Sequence, residues 1–129
     1  MNQPIRILFV EDDPEMRAVY QENFVRPEFD VTTAANGTEA LAILQGTVGF
    51  DVVVSDNYMP EMDGITLLKR MRELYPDVRV VIVTGYGNWS DYVDAHNLGV
   101  WHFIDKPVKI ADLKKLIRSL DVSAASNGN

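Results

Sequence analysis

VVVSDNYMPEMDG, residues 52–64, begins as buried chain and then abruptly stops being so. Val52, Val53 and Val54 are consecutive and β-branched, which suits a strand covered on both faces rather than one with a wet side. The run passes through Ser55 into Asp56, so a carboxylate stands where the apolar pattern ends. Beyond it Ile65, Leu68, Met71 and Leu74 recur at helical spacing and lay one apolar stripe on a neighbour. A buried strand, a short turn and an amphipathic helix together make half of a parallel β–α–β unit.

Working outward, the same grammar repeats. Ile5 to Val10, Val80 to Val83 and Trp101 to Ile104 are further continuous apolar blocks, read as strands buried on both faces. Phe29 to Ala34 contains Val31 but also Thr32 and Thr33, and reads as an edge strand. Helical spacing joins Met16, Val19, Tyr20 and Phe24; then Ala40, Leu41 and Leu44; and finally Ile110, Leu113, Leu116, Ile117 and Leu120, with Lys114, Lys115 and Arg118 facing away. Asp13 before Pro14 predicts an N-cap with proline at the first helical position, and Ser90 is read as the cap of the helix carrying Val93. The fold expected is α/β: an open, doubly wound parallel sheet with helices on both faces. The closing VSAASNGN is small and polar and reads as a frayed tail or the start of a linker.

Composition narrows the function classes. A chain of 129 residues suits one domain, and 47% hydrophobic with 24% charged residues suits a soluble fold rather than disorder. No apolar run has transmembrane length, and the N-terminus lacks a secretory cleavage pattern, so a cytoplasmic location is expected. The absence of cysteine removes disulfides, thiol catalysis and thiolate ligands together. A net charge of −7 argues against direct nucleic-acid binding and favours cations or cationic surfaces.

Open parallel sheets bind ligands at the carboxyl ends of their strands. Here those ends carry Glu11, Asp12 and Asp13, then Asp56, then Thr84, then Asp105 and Lys106. Carboxylates gathered at one edge repel one another unless a cation or protons intervene, and Mg²⁺ is the economical choice because it binds through one or two carboxylates plus phosphate oxygens. A third carboxylate is then left to react, with a lysine and a threonine to hold phosphoryl oxygens. The constellation predicts an aspartyl phosphate.

ILFVEDDPEMR, VVVSDNYMPEMDGITLLKRM, VVIVTGYG and GVWHFIDKPV, in this order and at these intervals, resemble the receiver domains of two-component response regulators from about Ile5 to Leu120. The resemblance implies a receiver domain over residues 4–120, with 121–129 as a flexible tail or linker start, and a flavodoxin-like five-stranded sheet of order 2-1-3-4-5. It implies Asp56 as phosphoacceptor, Glu11 and Asp12 as the acidic pair serving Mg²⁺ with Asp56, and the Tyr58 backbone carbonyl as a further metal ligand. It also implies Thr84 on a phosphoryl oxygen, Lys106 paired with the phosphoryl group, a cis bond at Lys106-Pro107, and Phe103 as the aromatic switch residue. The partners implied are a histidine kinase or histidine phosphotransfer protein and an output protein or domain. The output surface would be the last helix, the last strand and the helix before it; a phosphorylation-linked dimer stays open. Such a domain is a signalling switch that catalyses its own phosphotransfer and slow dephosphorylation.

Two features depart from the common pattern. Tyr58 and Tyr86 each stand two residues beyond a site residue and are expected to shield the phosphoryl group from water. Trp101 and His102 make a bulky approach to Phe103. Gly64 and Gly99 read as turn or helix-end glycines, and His96 and His102 lack a triad or ligand cluster. A phosphatase of the haloacid-dehalogenase type would carry its nucleophile in a DxDx pattern after the first strand, which EDDP lacks; a pseudo-receiver would have lost acidic or lysine positions, and none is lost.

Overall fold

A computed structural model describes residues 3–47, 49–85 and 88–127, the last seven through their backbone alone. Strands and helices alternate along the chain: β1 (Ile5–Val10), α1 (Pro14–Asn23), β2 (Phe29–Ala34), α2 (Gly37–Gly46), β3 (Val52–Asp56), α3 (Gly64–Leu74), β4 (Arg79–Thr84), α4 (Trp89–Asn97), β5 (His102–Asp105) and α5 (Ile110–Asn127). The five strands form one sheet of order β2-β1-β3-β4-β5, every pairing parallel. This is the flavodoxin-like arrangement that the resemblance to receiver domains implied. Helix α5 continues to Asn127, beyond the Leu120 at which the sequence reading ended the domain.

Alternation along the central strands sorts the core into two layers. Leu8, Val10, Val53, Val80 and Ile82 point to one face and pack with Ala40, Leu44, Leu67, Leu68, Met71 and Ala95 from α2, α3 and α4. Ile7, Phe9, Val52, Val54, Val81 and Val83 point to the other and pack with Tyr20, Phe24, Leu113 and Ile117 beside α1 and α5. Both faces are dry, so the strands read as unbroken apolar runs. On the second face Phe9 stacks on Tyr20 at 4.0 Å, and Phe24 meets Phe29 edge-on at 5.1 Å.

Two local expectations are corrected. The fourth apolar block is not a doubly buried strand: β5 starts at His102, lies at the sheet edge, and leaves His102 exposed with Phe103 and Ile104 half-buried. Trp101 precedes it, donating its N–H to the Val80 carbonyl at 2.8 Å while the Arg79 guanidinium lies 5.5 Å above its ring. Phe103 packs against the first core layer and Trp101 and Ile104 against the second, but as the edge strand, with β4 its one neighbour, β5 is only partly covered on either face. The cap of α4 is Asn88, whose Oδ1 accepts from the Asp91 N–H at 2.8 Å. Ser90 lies inside the first turn, two residues past the capping position.

Candidate functional site

The carboxyl edge of the sheet gathers the residues singled out above. Glu11 follows β1 directly and has 2% of its surface exposed; Asp56 ends β3 and is 9% exposed; Asp12 is exposed. One carboxylate oxygen from each lies within 4.8 Å of the other two, a spacing at which a single cation could be shared. The Lys106 Nζ comes to 3.1 Å from Asp56 Oδ2 and 3.5 Å from Glu11 Oε1. The Lys106-Pro107 peptide bond is cis, and so is Arg26-Pro27, which the sequence reading did not mark.

Local structure holds each group in place. Asp13 caps α1 through Oδ1, and its own N–H donates to Glu11 Oε2 at 3.2 Å, so the acidic run divides between cap and cluster. Arg17, one turn into α1, donates to the Glu11 carbonyl at 2.7 Å. The Tyr58 N–H donates to Asp56 Oδ1 at 3.3 Å, leaving Oδ2 to the lysine. Thr84 is fully buried at the end of β4, paired in register with Asp105, and its carbonyl accepts the Lys106 N–H at 2.9 Å. Phe103 pairs in register with Ile82 and packs against the first core layer, with Tyr92 meeting it edge-on at 5.8 Å. Tyr86 lies outside the described residues; Tyr58 is exposed, with its hydroxyl 2.6 Å from Asp91 Oδ2.

The electrostatics are those of a crowded anionic edge. Burial, reinforced by the Asp56 charge, raises the Glu11 carboxyl to about 7 even though the Asp13 N–H and Lys106 pull the other way. Desolvation disfavours the charged Lys106 ammonium, but its hydrogen bond to Asp56 and the charges of Glu11 and Asp56 outweigh that and raise it. Burial, then the charges of Glu11 and Asp56, push the Tyr20 phenol upward. One ammonium therefore faces an excess of carboxylate, and an all-oxygen donor set of this charge fits a hard divalent cation such as Mg²⁺.

Two contributors, Asn57 and Asp91, had no mark in the sequence, and Gly64 was read only as a turn or helix-end glycine. Asn57 is 2% exposed and acts as a hub: its N–H donates to the Val83 carbonyl, its carbonyl accepts from Gly64, and its Oδ1 accepts from Ile65. A Cβ on Gly64 would lie 2.7 Å from the Asp56 carbonyl oxygen, so this glycine permits the close approach of α3 to the end of β3. Asp91 meets Asn57 and Tyr58 across a separation that no local pattern could reveal.

Residues 7–118 match the response regulator receiver domain family. The transcriptional regulatory protein GlrR of Escherichia coli is 33% identical over 120 residues, 93% of this chain and 26% of that protein. The chain thus spans about a quarter of this curated relative's length. The crystal structure of a response regulator receiver domain protein from Methanospirillum hungatei superposes with a TM-score of 0.87 at 30% identity, covering 95% of this chain and 98% of that one. The response regulator TrrA of Thermotoga maritima, crystallised in complex with Mg(2+)-BeF, gives 0.78 at 25% identity, covering 89% and 97%. With sheet order, edge chemistry and sequence in agreement, this chain belongs to the response regulator receiver domain family of two-component signalling.

Proposed function

We propose that this domain, residues 4–120, receives a phosphoryl group on Asp56 from a phosphohistidine of a histidine kinase or histidine phosphotransfer protein. The observation that carries the reading is the convergence of Glu11, Asp12 and Asp56 within 4.8 Å, with the Lys106 ammonium bonded to Asp56. An Asp56 carboxylate oxygen attacks phosphorus, the P–N bond breaks, and the imidazole leaves with the electron pair. Lys106 orients the Asp56 carboxylate and then pairs with the phosphoryl oxygens, while the Thr84 hydroxyl takes another of them. Glu11, Asp12, Asp56 and the Tyr58 carbonyl would hold Mg²⁺, which when bound neutralises charge spread over the transferring group. The same groups serve slow hydrolysis of the acyl phosphate, against which Tyr58 and Tyr86 act as shields.

Drawing Thr84 toward the phosphoryl group frees space for Phe103 to turn inward, which reshapes the surface of α4, β5 and α5 presented to an output protein or domain. Among the described residues no helix is long and apolar enough to cross a membrane; the role proposed for the domain is a cytoplasmic one. Incubation with Mg²⁺ and acetyl phosphate should add one phosphoryl mass to the native chain and none to Asp56→Asn, read by intact-mass spectrometry. Equal labelling of both would assign the chemistry elsewhere.

A further inference from the structure

Asp91 binds two consecutive residues that follow Asp56. Its Oδ2 accepts the Tyr58 hydroxyl at 2.6 Å and the Asn57 side-chain amide at 3.3 Å. The bond to Asp91 also lifts the Tyr58 phenol above its ordinary value. An acid in the first turn of α4 suits the helix dipole, but Asn88 already caps that turn, so the helix does not need this carboxylate aimed across at β3. On the other side of the contact, Asn57 is buried and its remaining bonds run to β4 and the start of α3, so it cannot shift alone. Asp91 therefore ties a rigid strand end to a helix start.

That helix carries an aromatic row. Trp89, 77% exposed, stacks on Tyr92 at 5.6 Å, Tyr92 on His96 at 6.4 Å, and Tyr92 meets Phe103 edge-on. At the other end of the link, the Tyr58 N–H rests on Asp56 Oδ1. Phosphorylating Asp56 would change the charge and the acceptor that this N–H meets, and the Tyr58 and Asn57 side chains connect that N–H's segment to Asp91. Resting on the reading of Asp56 as phosphoacceptor, we propose that Asp91 is a positioning residue coupling the state of Asp56 to helix α4 through Asn57 and Tyr58, alongside the route through Thr84. Coupling of this kind is reciprocal, so loosening it alters what α4 reports without removing the phosphoacceptor.

The test uses Trp101→Phe as parent, leaving Trp89 as the one tryptophan. With Mg²⁺ and acetyl phosphate, the parent, Asp91→Ala and Asp91→Asn should all gain phosphoryl mass, and Tyr58→Phe is compared with them at equal phosphoryl mass. The accompanying change in Trp89 emission should be largely lost in Asp91→Ala. Asp91→Asn, whose amide oxygen accepts the same two donors, should keep it, and Tyr58→Phe, which retains the Asn57 bond, should fall between. A parent-sized response in both Asp91→Ala and Tyr58→Phe overturns the coupling. Should Asp91→Ala fail to fold, a parent-sized response in Tyr58→Phe overturns it alone. Absence of mass gain in the parent defeats instead the phosphoacceptor reading, and the coupling with it.

Discussion

Glu11 is the residue at which the site's charge balance is most exposed to measurement. Its carboxyl rises from an ordinary 4.5 to about 7 on folding, so between those values the folded chain binds a proton that the unfolded chain has released. Stability of metal-free protein should therefore fall as pH rises from about 5 to about 7, while Lys106, raised by its partners, stays charged throughout. Thermal melts in chelator should show this slope, and Glu11→Gln should flatten it; a slope of opposite sign would contradict the burial that raises the group. Glu11, Asp12, Asp56, Thr84 and Lys106 were all legible as strand-end residues, because a buried parallel strand announces where it stops. Asn57 and Asp91 were not: a polar side chain's burial depends on what other segments bring to it.

At the scale of the element, α3 shows how a cap and a glycine place a helix against a reacting strand. The Asp63 side chain accepts from the Thr66 N–H at 2.8 Å, and the next residue, Gly64, lets the helix start touch Asp56 and Asn57. Asp63→Ala should lower stability by about 1 kcal/mol, the usual cost of an N-cap, measured as a shift in urea midpoint with unchanged slope. A loss below a few tenths would mean that the Gly64 and Ile65 bonds to Asn57 hold the helix start unaided. The period of Ile65, Leu68 and Met71 was enough to read this helix. The Trp101 to Ile104 block misled because hydrophobic content does not say where in the sheet a strand lies, and at the edge β5 is only partly covered by the layers on its two faces.

Across the whole molecule, two core layers share one sheet, and neither can persist without it. Leu68 on one face and Ile117 on the other are both fully buried. Truncating either to alanine should cost about 2–5 kcal/mol and leave a single unfolding transition by circular dichroism and fluorescence. Separate transitions in either variant would show that the layers unfold independently.

The order of strands and helices, the acidic and basic residues at the strand ends, and the family itself were written in the linear pattern, because burial on both faces demands continuous apolar runs and parallel pairing sends their ends to one edge. Only the tertiary structure decided which polar groups meet across that edge: the approach of Lys106 to Asp56, the elevation of Glu11, and the tie from Asp91 to Asn57 and Tyr58. Those depend on distances between segments far apart in sequence, and hydrogen bonds and charges act over distance in space rather than along the chain.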